Sequence, residues 1–161
     1  MKRPLLFFLF SLFFVLSSEA QEVYNYVLES ATRTVNSPTS NYTQTQIAQF
    51  KRTALIYMSR KATEKDGQVE ASFLDTQAYC MSEFLTLFFS EVIKDRNLSA
   101  SDRKEKIYTF MKATLENPQW NDPDQATAQS FIQSDELTPF SIDCNWEKAL
   151  AWVQVQLKNA Q

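Results

Sequence analysis

"QVEASFLDTQAYCMSEFLTLFFSEVIK", residues 68 to 94, decides the fold. Its apolar positions, from Phe73 and Leu74 through Cys80, Met81, Phe84, Leu85 and Phe88 to Val92 and Ile93, recur at helical spacing. Together they cover much more than half of the helix circumference. A helix that stays wet on one narrow strip is surrounded by other helices. The spacing therefore predicts a central helix over about 68–94.

The flanking sequence supplies the surround. Upstream, Val23, Val27, Ala31 and Val35 predict a helix over about 22–35, stopped by "NSPTSN". Ile47, Phe50, Ala54, Met58 and Ala62 predict a second over about 43–65, with Gly67 as its C-terminal stop. Downstream, "SASD" offers Ser99 or Ser101 as the cap of a helix carrying Ile107, Phe110, Met111 and Leu115, which ends before Asn117-Pro118. Residues 117 to 143 read as loop, although "PDQATAQSFIQS" from Pro123 suits a short helix with proline in its first turn. The last helix starts near Asp143 or Asn145 and aligns Trp146, Ala149, Leu150, Val153 and Leu157 on one face. A chain whose sole glycine is Gly67 has few positions for tight hairpins, which disfavours an all-β fold. The expected fold is all-α, an antiparallel bundle of five to six helices around the central one.

Residues 1–20 read as a signal peptide: Lys2 and Arg3, an apolar run from Leu5 to Leu16, then small residues up to a cleavage point after Ala20. The run is shorter than the ~17 to 25 residues a membrane-spanning helix needs. The expectation is a secreted or periplasmic protein, residues 21–161 forming one helical domain with no integral membrane span after cleavage. A net charge of −3 without a Lys/Arg tract argues against nucleic acid and anionic membrane as partners.

Cys80 and Cys144 are the two cysteines of a chain addressed to an oxidising compartment, and the simplest expectation is a disulfide. It would staple the central helix to the start of the last one and stabilise the fold by about 4 kcal/mol. Cysteine-histidine and serine-histidine-aspartate catalysis are excluded because the sequence has no histidine. One glycine leaves no phosphate-cradling loop, dinucleotide turn or nucleophile elbow. No metal site and no cofactor is expected.

Two side-chain groups stand out. Glu91 falls on the helical line of Phe73, Cys80 and Phe84; facing a core it would anchor a ligand held against Phe84 and Phe88, and otherwise it reaches water or an arginine such as Arg52 or Arg60. Trp152 and Val155 lie opposite the apolar stripe of the last helix. They form a docking patch if exposed, unless the 117–143 segment or the first helix covers them. The leading functional expectation is a non-enzymatic exported domain that binds a protein partner. The alternatives are a carrier for an apolar or aromatic small ligand and, third, a hydrolase using two carboxylates that meet in one cleft.

Overall fold

The apolar run becomes helix α3, Phe73–Phe88, continued by a π-helical turn, Phe89–Lys94. The computed structural model describes residues 21–64, 69–70, 72–122, 128–133 and 136–160; the signal peptide read at 1–20 lies outside them. Around α3 stand α1 (Glu22–Asn36), α2 (Tyr42–Glu64), α4 (Ala100–Leu115) and α5 (Trp146–Asn159), so the fold is helical, with five α-helices among the described residues. With its π turn, α3 packs against all four others, as the breadth of its apolar surface requires. None of the described helices is long and apolar enough to cross a membrane.

Each helix start has a chemical reason. Asn41 and Gln44 cap α2 reciprocally: Asn41 Oδ1 accepts the Gln44 N–H and Gln44 Oε1 accepts the Asn41 N–H, both at 3.0 Å. Ser99 caps α4 by accepting the Asp102 N–H at 3.1 Å, and Asn145 caps α5 by accepting the Lys148 N–H at 3.0 Å. The first turn of α1 is satisfied from a distance, since the Tyr24 N–H donates to Asp75 Oδ1 of α3 at 2.8 Å.

The core is aromatic. Phe84 stacks edge-to-face with Phe110, Phe140 and Trp146, and Phe88 with Phe110 and Phe140, at centroid separations between 5.2 and 5.8 Å. Phe50 of α2 joins through Phe140 and Trp146. All six rings are buried.

The structure departs from the sequence reading in three places. First, part of the 117–143 segment is a two-stranded antiparallel hairpin, β1 (Ala128–Gln133) and β2 (Glu136–Phe140), with Ala128 opposite Phe140. A short helix from Pro123 is not present over 128–133, and residues 123–127 lie outside the described residues. The hairpin runs beside α2 and α4, and its last residue, Phe140, enters the aromatic core; this tertiary anchor overrides local helix preference.

Second, Cys80 and Cys144 are free buried thiols, not a disulfide. The fastening expected of a bridge is made by polar groups instead. The Oε1 of buried Gln77, on α3, accepts the Trp146 N–H at the start of α5 at 2.7 Å. Asp143, also buried, accepts the N–H groups of Gln119 (3.1 Å) and Trp120 (2.9 Å) on Oδ1 and of Asp122 (2.9 Å) on Oδ2. Asn121 takes a left-handed φ of 52°, which turns this short loop so that its amides converge on one carboxylate.

Third, the end of α3 widens. In a π turn the hydrogen bonds run i→i+5, so residues after Phe88 rotate relative to an ideal α-helix. Val92 stays on the apolar side and is buried, while Glu91 is half-buried and its Oε2 pairs with Lys106 Nζ of α4 at 2.6 Å.

Candidate ligand-binding site

The residues singled out from the sequence are dispersed. Phe84 and Phe88 have no solvent exposure and are committed to aromatic packing, and Glu91 is half-buried in its ion pair with Lys106 instead of with Arg52 or Arg60. These three do not enclose a cavity with a polar anchor. Trp152 is half-buried against the core, with Lys112 Nζ of α4 5.9 Å from its ring centre, whereas Val155 is exposed. Among the described residues, α4 lies over the second face of the last helix at Trp152.

Burial pushes the thiols of Cys80 and Cys144 above the ordinary range, with Glu147 and Glu83 adding to the effect at Cys80 and Asp143 at Cys144. A thiol held protonated is a poor nucleophile. Two carboxylates do come together, Asp122 and Asp143, but they are engaged in structure. Asp143 holds the loop amides, while Asp122 Oδ2 accepts the Tyr57 hydroxyl at 3.1 Å and pairs with Lys61 Nζ at 2.8 Å. Tyr57 titrates well above its usual range, through burial first and then the charges of Asp143 and Asp122. Among the described residues no group of three metal-ligating side chains converges.

The open site lies on the other side of the bundle. Val23, Val27 and Ala31 of α1 face Ile47 and Ala48 of α2 across a solvent-open basin of about 580 Å³, within the roughly 300–1,000 Å³ typical of small-molecule sites. Tyr26 and Tyr79 form its rim at 67% and 57% exposure, large for aromatic side chains beside a cavity. A smaller basin of about 260 Å³, with Leu85 and Phe89, shares Gln44, Ile47 and Lys51 with the first. The two form one trough along the Gln44–Ile47–Lys51 face of α2. Phe89, the first residue of the π turn and partly exposed, lines the second basin.

Two polar groups in this trough are anomalous. Lys51 is half-buried and, among the described residues, is the one charged side chain lining either basin. Burial lowers its pKa, an effect that the charge of Glu83 only partly offsets, and it makes no ion pair among the described residues. The hydroxyl of Ser82 is buried with no hydrogen-bond partner. Buried polar groups are almost always satisfied, so an unpartnered one at the wall of a cavity marks a position where a ligand can supply the missing partner.

Sequence reasoning missed this site although both signals were legible. Lys51 sits one turn after Ile47 and one before Ala54 on the apolar stripe of α2, and Ser82 interrupts the apolar surface of α3 next to Met81. A polar residue on a core-facing stripe was the clue.

No family model matches the chain, and neither a curated protein nor a solved structure matches it. Fold and site together define a helical domain with a solvent-open apolar trough that, among the described residues, carries a single cation.

Proposed function

We propose that this is an exported, non-enzymatic binding domain that holds a small apolar ligand in the trough between α1, α2 and α3. The observation that carries the reading is the coexistence of a filled aromatic core with an unfilled trough. A bundle that packs six aromatic rings edge-to-face elsewhere leaves Val27, Ile47, Tyr26 and Tyr79 around open space. The deeply protonated thiols and the structurally committed Asp122–Asp143 pair support a non-catalytic role.

The test is titration of the purified domain with the neutral apolar fluorophore N-phenylnaphthylamine. A saturable, blue-shifted emission is expected, and Ser30→Trp, which fills the trough from the half-buried wall of α1, abolishes it without lowering the unfolding temperature. Absence of saturable binding, or binding indifferent to Ser30→Trp, refutes the reading.

A second reading is a docking face for a protein partner, favoured by one observation. Tyr108 and Leu115 of α4 and Val155 of α5 are exposed, and Lys112 on the same α4 face lies over the ring of Trp152. A partner recovered reproducibly by the wild-type domain and lost with Val155→Asp is the expected result; a partner that tolerates this change refutes docking there.

A further inference from the structure

We propose that the trough selects a single-chain anionic amphiphile, its acyl or alkyl chain lying against Val27, Ala31 and Ile47 and its anionic headgroup held between Lys51 Nζ and Ser82 Oγ. This rests on the reading of the trough as a ligand site and adds the headgroup chemistry. The argument is one of charge and of hydrogen-bond supply. Lys51 is the only charge on the described lining of both basins; it is half-buried, and the charge of Glu83, which lines neither basin and forms no ion pair with it, offsets the desolvation only in part. An apolar ligand without charge would leave that ammonium, already desolvated, worse solvated still. A cationic ligand would meet like charge. An anion supplies a counter-charge within the trough itself and accepts the hydrogen bond that the Ser82 hydroxyl makes to no protein group.

The remaining polar wall explains why the site can stay open in water until it is filled. Ser30, Thr34, Ser40 and Gln44 line it, and three of these are already hydrogen-bonded: Thr34 Oγ1 donates to Ser30 O at 2.9 Å, Ser40 Oγ donates to Thr34 O at 2.9 Å, and Gln44 Oε1 holds the α2 cap. They present satisfied groups to solvent. Lys51 and Ser82 are left to read the ligand. A straight chain suits the remainder, because the trough runs on along α2 to Leu85 and Phe89 instead of closing into a round cavity.

The headgroup chemistry is shared by fatty carboxylates and monoalkyl phosphates, and the experiment separates them. Isothermal titration of the mature domain, below the critical micelle concentration, compares decanoate, monodecyl phosphate, decyl maltoside and decyltrimethylammonium. Both anions are expected to bind at least about tenfold more tightly than the maltoside and the cation, the size of one charge-assisted hydrogen bond. Lys51→Met, which keeps the apolar stem and removes the charge, erases that preference. Its melting temperature is expected not to fall, since the charge it removes is a desolvated one, so a lost preference is not a lost fold. Ser82→Ala weakens the anions alone. A preference for decanoate over the phosphate, or the reverse, assigns the source. Equal affinity for all four headgroups, or anion binding that survives Lys51→Met, overturns the proposal while the trough reading stands; failure of N-phenylnaphthylamine and of every amphiphile refutes both.

Discussion

Replacing Asp143 by asparagine isolates the group that takes the place of a covalent staple. The carboxylate is fully buried and accepts three backbone N–H groups, two on Oδ1 and one on Oδ2. An asparagine keeps one acceptor oxygen and turns the other position into a donor facing a donor. Hydrogen bonds to a charged group contribute about 1.5–3 kcal/mol and neutral ones about 1 kcal/mol, while orphaning a buried N–H costs about 1–3 kcal/mol. Two weakened bonds and one lost bond therefore add to about 3–5 kcal/mol, a large part of the ~5–15 kcal/mol by which a domain is stable. At about 2–4 °C per kcal/mol the melting temperature falls by roughly 6–20 °C. Urea unfolding followed by tryptophan fluorescence measures the loss. Trp120, which packs edge-to-face on Tyr57 and Phe73, reports the loop directly in near-ultraviolet circular dichroism. A loss below about 1 kcal/mol with the Trp120 signal intact would refute the view that this carboxylate organises the 119–122 turn.

Thiol titration without reductant is expected to find two reactive thiols in denaturant, with Cys144 unreactive in the folded protein because it is fully buried; one or no thiol after unfolding contradicts the free pair. The raised Cys144 pKa sets a sign for alkaline stability. The unfolded thiol releases its proton first, so stability is full below the ordinary value of 9.0 and falls as pH rises above it, by at most about 1.4 kcal/mol per pH unit for this group. Chemical denaturation between pH 8 and pH 10 checks the slope, and a flat profile opposes the assignment. Arg103 donates to the carbonyls of Val92 and, at 2.7 Å, of Asp95 at the end of the π turn, so Arg103→Ala is expected to destabilise by about 1–3 kcal/mol and speed amide exchange there. Glu91→Ala, which breaks only a partly exposed pair with Lys106, is expected to cost less than about 1 kcal/mol in the same unfolding assay.

The helices were legible because their cause is local: apolar residues at helical spacing, Ser99 and Asn145 as caps, and a proline after α4. The hairpin was not, since Phe140 holds it through rings that belong to α2 and α3, far away in sequence. Nor was the π turn, because one residue of altered register leaves the apolar pattern nearly intact. The cysteine pairing was inferred from compartment alone. Whether two residues on facing elements bond depends on side-chain direction, which spacing does not carry, and here Gln77 and Asp143 occupy the fastening role. For the trough, Lys51 was visible on its stripe, but the sequence could not show that α1 would fail to cover it.

That failure has a physical origin in the kinds of side chain on the two sides of α3. Towards α4, α5 and the hairpin, the helix meets Phe110, Phe140 and Trp146, bulky rings that interdigitate and exclude solvent. Towards α1 it meets Val27, Ala31, Ser30 and Thr34, whose summed volume is too small to fill the space that α2 leaves open. A sequence selected only for stability would place larger aliphatic residues on α1 and an apolar residue at position 82, each worth on the order of 1 kcal/mol or more. It would also avoid a desolvated lysine at position 51. The violations of packing and of charge solvation fall within this one surface, together with one of the two buried unsatisfied side-chain atoms among the described residues, Ser82 Oγ; the other, Trp146 Nε1, lies in the aromatic core on the opposite side. Such concentration is the pattern of a site kept open for use, where stability is given up for binding.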